Sequence, residues 1–109
     1  MLYEDRKNIK PKTLDLMRAI DSLREEMEAV DVYNQRADAC KDANLKKILI
    51  HNANEEKEHA AMLIEWIRQN DKEFNEELND YVFKGGDVTK KEHEIKGKNN
   101  NSRNGSKLS

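Results

Sequence analysis

Residues that break helices are scarce in this sequence and unevenly placed. Its 109 residues contain one proline, Pro11, and the first of only four glycines is Gly85. Between them, residues 12–84 are rich in Leu, Ala, Glu, Lys, Met and Arg, which favour long helices over strands and tight turns. The sequence therefore predicts an all-α fold.

Disulfide partners, long apolar runs and an excess of charge of one sign are also missing. Cys40 is the only cysteine, which excludes an internal disulfide, and the longest apolar run is Ala60–Ile64. The 20 basic and 22 acidic residues leave a formal charge of −2, which provides no broad basic field for nucleic acid or anionic lipid. We expect a cytoplasmic protein with no membrane-spanning segment and no nucleic-acid partner.

The size of the chain limits its core. With 39% charged residues in 109, it holds one small domain with little apolar surface to bury. Small domains are usually stabilised by a disulfide, a metal or a partner subunit. Because a disulfide is excluded, we expect a metal or oligomerisation to supply the missing stability.

Breaks in the helical pattern divide the chain into elements. Pro11 suits the first turn of a helix, Asp42 is a candidate N-cap for the next, and Asn70-Asp71 repeats that signal. A short connection makes the first two helices, each about 40 Å long, an antiparallel hairpin. The predicted helices cover residues 11–39, 43–69 and 72–82. They form a hairpin domain with a short third helix over residues 1–84, and residues 85–109 are predicted to be a flexible tail.

Each long helix has an apolar seam that is interrupted by polar residues. The first seam is apolar or aromatic except at Glu26, and the second is apolar except at Glu56, with His59 one turn further along the same side. The first seam contains Leu16, Ala19, Leu23, Glu26, Val30, Tyr33 and Ala37. The second contains Leu49, Ala53, Glu56, Ala60, Leu63 and Ile67. Since unpaired carboxylates in an apolar seam are unfavourable, a bound cation or a basic side chain must compensate them.

A metal site explains this pattern. Carboxylate-bridged di-metal bundles take a Glu from each of two helices and a Glu-x-x-His pair from each of the other two. Glu26 with Glu56 and His59 is half of that set, so two copies around a two-fold axis would complete both the bundle and the site. The plain structural alternative is an ion pair for Glu26 and a hydrogen-bonded core imidazole for His59. Tyr33, two turns beyond Glu26, is placed either to donate to a ligand carboxylate or to pack in the core.

The ligand types indicate the chemistry. Oxygen-rich ligands with one imidazole per metal suit iron or manganese better than the metals that select thiolates. Two irons bridged by carboxylates can each give an electron to dioxygen or peroxide, which predicts a ferroxidase. Two alternatives use the same residues: a non-catalytic helical scaffold or metal-binding module, and a peroxide-reducing or manganese di-metal protein.

Two long segments closely resemble the encapsulated ferritin family. They are EEMEAVDVYNQR at residues 25–36 and HNANEEKEHAAM at residues 51–62, and EWIRQND at residues 65–71 is a further strong match. The resemblance covers residues 12–84. Both motifs are long and correctly spaced, which makes them far more specific than a lone Glu-x-x-His.

The resemblance implies a ferroxidase with a ferritin-like fold, whose di-iron site forms only when two protomers meet. It identifies Glu26, Glu56 and His59 as the iron ligands, with Tyr33 beside them. It further implies an open decamer built as a pentamer of dimers. Such a ring works as cargo inside an encapsulin shell, which stores the iron that the ring oxidises.

The resemblance also implies two outer metal sites. Glu25 and Glu28 would line the approach to the iron site. A second set would bind calcium or other divalent cations at a subunit interface, and it comprises His51, Glu55 and Glu58. The alternative for both sets is a solvated acidic surface.

Two features depart from the family pattern. Val32 stands where relatives often have Trp, so the aromatic side chain that would gate the iron approach is missing. Encapsulin cargoes usually end in a short loading peptide that contains Gly and Leu, and residues 105–109 look like the start of one. We expect residues 85–109 to be a linker with a truncated loading peptide, which would load poorly.

Overall fold

The structure is a computed structural model that describes the backbone of residues 1–107 and the side chains of residues 1–98. A short 3-10 turn, Arg6–Asn8, precedes the first α-helix. The α-helices are α1 (Pro11–Ala39), α2 (Ala43–Asn70), α3 (Lys72–Tyr81) and α4 (Val88–Lys107). The all-α prediction is confirmed, and the first three helices begin at the predicted residues and end within one residue of the predicted ends.

Local signals at the helix ends explain the hairpin. Pro11 is the first residue of α1, where its missing N–H removes no helical hydrogen bond. The carboxylate of Asp42 accepts a hydrogen bond of 2.8 Å from the Leu45 amide and so caps α2. Because only residues 40–42 connect the two helices, α2 folds back along α1 as an antiparallel hairpin.

Alanine is the main residue type in the buried core of the hairpin. Four of the six buried apolar residues in the described chain are alanines, and only Ile67 is both large and fully buried. Small side chains let the helices approach closely, but they remove little apolar area from water. Many larger apolar side chains stay exposed on the hairpin surface, among them Ile20, Met27, Leu45, Ile48, Met62 and Trp66.

The chain divides into two compact units. The first, Met1–Asp71, contains the hairpin, and the second begins at Lys72 and contains α3 and α4. The predicted boundary between residues 84 and 85 stays a prediction, and the expected loading-peptide segment at residues 105–109 lies outside the residues whose side chains are described. Among the described residues there is no candidate membrane-spanning helix.

The segment predicted to be a flexible tail contains the helix α4, Val88–Lys107. Its flexibility stays a prediction. Asp87 caps its first turn by accepting hydrogen bonds from the Thr89 amide, at 2.9 Å, and the Thr89 hydroxyl, at 2.6 Å. Within α4, Lys96 lies 3.4 Å from Glu92 at the favourable i, i+4 spacing. The scarcity of apolar residues suggested a tail, but the cap and the charged pair favour a helix without apolar burial.

A strained residue lies in the turn between α3 and α4. Phe83 has a φ angle of 65°, in the left-handed region that costs residues other than glycine about 1–2 kcal/mol. Gly85 and Gly86, with φ angles of 64° and 74°, adopt the same region without that penalty. The Phe83 side chain is fully exposed, so no burial within this chain offsets the strain.

Replacing Asp42 with alanine tests the cap of α2. Losing the hydrogen bond to the Leu45 amide should lower the free energy of unfolding by about 1 kcal/mol, which denaturation followed by circular dichroism can measure. Asp42→Asn is the matched control, because asparagine accepts the same hydrogen bond without the charge. Equal stability of the alanine variant and the wild type would show that this cap does not hold α2.

The cap of α4 should respond to pH. Hydrogen bonds from the Thr89 hydroxyl, and then from the Thr89 and Lys90 amides, lower the pKa of the Asp87 carboxyl below its usual range. Such a carboxylate stabilises the folded state above its unfolded pKa, and that stabilisation is lost as the pH falls through its folded pKa. In an acid titration followed by NMR, the Thr89 amide resonance should therefore shift with a midpoint below the ordinary value of 3.8.

Asp87→Asn supplies the control for this titration, because asparagine caps a helix but does not titrate. The Thr89 amide of the variant should show no such transition. A wild-type midpoint at or above the ordinary value would contradict the cap.

Candidate metal centre

Three polar side chains meet between α1 and α2. Glu26 comes from α1, whereas Glu56 and His59 lie one turn apart on α2. The Nδ1 atom of His59 lies 3.3 Å from Oε2 of Glu56 and 3.5 Å from Oε2 of Glu26. The three residues each offer a ligand atom, and these atoms all lie within 4.8 Å of one another. The structure thus brings together the three residues that interrupt the apolar seams.

This cluster is half-open. The side chains of Glu26 and Glu56 are 24% and 25% exposed, and that of His59 is 43% exposed. The carboxylates are therefore less buried than the seam pattern predicts. They keep part of their hydration, which reduces the penalty for placing two charges next to each other. The open side also admits ligands from outside the chain.

The donor atoms suit a divalent cation. Metal–ligand distances of about 2.1 Å place two ligands of one ion at most about 4.2 Å apart, and both distances measured to the His59 Nδ1 are shorter than this limit. Two carboxylates and one imidazole favour iron or manganese over metals that select thiolates. Because Nδ1 points to the carboxylates, a metal bound there would leave Nε2 to carry the imidazole proton. Among the described side chains, this is the one group of three or more acidic, His or Cys residues gathered so closely.

Tyr33 lies two turns beyond Glu26 on α1 and is half-buried. The guanidinium carbon of Arg36 lies 6.0 Å from the centre of the Tyr33 ring, at the outer limit of a cation–π contact. This contact is not among the sequence-based expectations, although the i, i+3 spacing of tyrosine and arginine is a usable signal for it. A hydrogen bond from Tyr33 to a ligand carboxylate stays a prediction.

The residues of the two predicted outer sites lie on the exposed faces of the same helices. Glu25 and Glu28 are exposed on α1, next in sequence to the ligand candidate Glu26. On α2, the Nε2 atom of His51 lies 3.7 Å from Oε1 of Glu55, which is consistent with a shared face. Glu58 is exposed on the same helix. Within one copy neither set forms a three-residue cluster, and their roles in metal binding stay predictions.

Comparison with known proteins identifies the family of this chain. The EncFtn-like family model matches residues 1–85. An encapsulated ferritin-like protein of Rhodospirillum rubrum is 49% identical over 87 residues, which are 80% of this chain and 62% of that protein. The chain thus spans less than two thirds of that relative. A ferritin-like protein of Thermotoga maritima is 46% identical over 91 residues, which are 84% of this chain and 80% of that protein.

A solved structure shares the fold. The crystal structure of a protein from Nitrosomonas europaea matches with a TM-score of 0.77 and 56% identity, covering 80% of this chain and 96% of that one. The hairpin therefore has the form of half a ferritin-like bundle, and the resemblance to the encapsulated ferritins is confirmed. Both long helices and the whole Glu/His cluster fall within the matched residues 1–85. The chain belongs to the EncFtn-like family.

Proposed function

We propose that this protein is a ferroxidase that oxidises Fe(II) to Fe(III) at a di-iron site formed between two copies of the chain. The observation that carries the proposal is the half-open cluster of Glu26, Glu56 and His59 on a hairpin of the EncFtn-like family. Fe(II) is the substrate, and the Fe(III) product feeds iron mineralisation and storage.

A second copy would complete the site. One chain offers two carboxylates and one imidazole, whereas a di-iron carboxylate bundle uses four carboxylates and two imidazoles. Two-fold pairing supplies the whole set. The hairpin also offers an apolar surface beside the cluster, since the exposed Met62 and Trp66 follow His59 on the same side of α2. Pairing through this surface would both remove apolar side chains from water and cover the exposed side of the cluster.

In this proposal the chemistry belongs to the iron, and the protein fixes its place and charge. Two Fe(II) ions each give one electron to dioxygen, which takes up two protons to become hydrogen peroxide. Glu26 and Glu56 hold the cations, and their negative charge favours Fe(III) over Fe(II). His59 binds through Nδ1, and Tyr33 donates a hydrogen bond to a ligand carboxylate and keeps it oriented.

The outer carboxylates have a supporting role in this proposal. Glu25 and Glu28 would attract Fe(II) toward the cluster because they are exposed and acidic on the adjoining turn of α1. The set of His51, Glu55 and Glu58 would bind calcium or other divalent cations between copies. Val32 is half-buried and provides no aromatic gate over this approach.

The proposed setting is an encapsulin nanocompartment in the cytoplasm. The R. rubrum relative is described as encapsulated, and it matches the region that holds the cluster. We infer that five dimers form an open decamer, which cannot enclose a mineral by itself. The encapsulin shell would then store the iron that the decamer oxidises.

Removing a ligand should abolish catalysed iron oxidation. Each protein is loaded with Fe(II) under anaerobic conditions, and oxygen consumption is measured once oxygen is admitted. The rates of Glu26→Ala and His59→Ala should be at least about tenfold below the wild-type rate, because losing one ligand weakens iron binding. Matched controls are Glu94→Ala and His93→Ala, which remove the same residue types from exposed positions on α4. These controls should keep the wild-type rate.

Three outcomes separate the proposed function from its alternatives. A wild-type rate no higher than uncatalysed oxidation would exclude a ferroxidase and favour a scaffold or metal-binding module. Faster oxidation with hydrogen peroxide than with dioxygen would favour a peroxide-reducing protein. Activity with Mn(II) but not with Fe(II) would indicate a manganese protein.

Metal binding should promote pairing of the chain. Native mass spectrometry should show more dimer and higher oligomers when Fe(II) is added without oxygen, because a ligand that binds only the assembled form shifts the equilibrium by mass action. A chelator should reverse the shift. In Glu56→Ala the shift should be lost, whereas in Glu94→Ala it should persist. An oligomer distribution that is indifferent to Fe(II) in the wild type would contradict a site shared between copies.

A further inference from the structure

The turn between α3 and α4 combines strain with exposed apolar side chains. Phe83 holds a left-handed φ angle of 65° at a position after a helix end where glycine is the usual residue. Its side chain is fully exposed, and Val82 and Val88 on either side are 41% and 53% exposed. Residues held in such conformations without local compensation often mark segments that change shape or bind a partner.

The apolar stripe of α3 continues in phase across this turn. Along α3 it contains Phe74, Leu78 and Tyr81, at spacings of 4 and 3. After Tyr81 the same spacing of four and three residues leads to Gly85, Val88, Glu92 and Ile95. Only Gly85 and Glu92 interrupt it. In one continuous helix the five apolar members would lie on a single seam of the coiled-coil type, whereas the turn places them on two separate helices.

The distribution of charge along α3 and α4 favours a second copy of the chain as the partner of that seam. α3 contains four carboxylates and one lysine, whereas residues 88–98 of α4 contain four lysines and two carboxylates. A second copy lying antiparallel would place the acidic half of each helix against the basic half of the other. We propose that residues 72–98 straighten into one helix and pair antiparallel with the same segment of a second copy. This proposal does not depend on the ferroxidase function.

The two glycines of the turn provide a sharp test. Gly85 and Gly86 have φ angles of 64° and 74°, so alanine at these positions would strain the turn, whereas alanine favours a continuous helix. In the full chain, Gly85→Ala/Gly86→Ala should therefore raise the helix content measured by circular dichroism. In sedimentation experiments without metal, it should lower the midpoint concentration of self-association at least about tenfold. Adding Val88→Lys and Ile95→Lys should reverse the gain in association by placing charges in the seam.

Phe83→Gly is the opposing variant. It relieves the strain of the turn and disfavours a continuous helix, so it should weaken self-association relative to the wild type. The proposal is wrong if the double-alanine variant loses helix content, or if it gains helix content with no change in association. It is also wrong if Phe83→Gly strengthens association. Oxygen consumption is not a readout here, so failure of this proposal and failure of the proposed ferroxidase are distinguishable.

Discussion

Close approach of two helices is the constraint on which the cluster depends. Glu26 reaches Glu56 and His59 across the hairpin, where the buried residues include the alanines Ala19, Ala53 and Ala60. Larger side chains there would separate the helix axes and lengthen the distances of 3.3 and 3.5 Å at His59. The same small residues make the core thin. The small buried residues therefore favour close packing of the two helices and leave the hairpin short of buried apolar surface.

Electrostatic repulsion within the cluster links metal binding to pairing of the chain. Two carboxylates about 4 Å apart repel each other by about 1 kcal/mol in bulk water and by about 4 kcal/mol at the lower effective dielectric near a protein surface. Partial exposure keeps the repulsion of Glu26 and Glu56 toward the lower figure, and a cation would turn it into attraction. Covering the cluster without a cation would raise the repulsion. Pairing through this face and metal binding are therefore expected to favour each other.

The sequence predicts most of the first unit because its signals are local or periodic. Pro11 and Asp42 place the helix starts through hydrogen bonds with nearby residues, and the interrupted seams bring Glu26, Glu56 and His59 together. It does not predict how exposed the cluster is, because exposure depends on what lies outside the hairpin. The contact between Arg36 and Tyr33 depends on the side-chain conformation of an exposed arginine, which the order of residues does not determine.

The region after residue 81 contains a helix that its composition does not predict. Apolar content, which indicates whether a segment can bury itself, is low there and suggests disorder. Helix formation depends also on capping and on charged pairs, and Asp87, Glu92 and Lys96 supply both. These local signals start a new helix at Val88. The spacing of the apolar residues nevertheless stays in phase across the turn between α3 and α4. The local signals and the apolar stripe therefore disagree at the strained turn of Phe83, and the local signals determine where the helix begins.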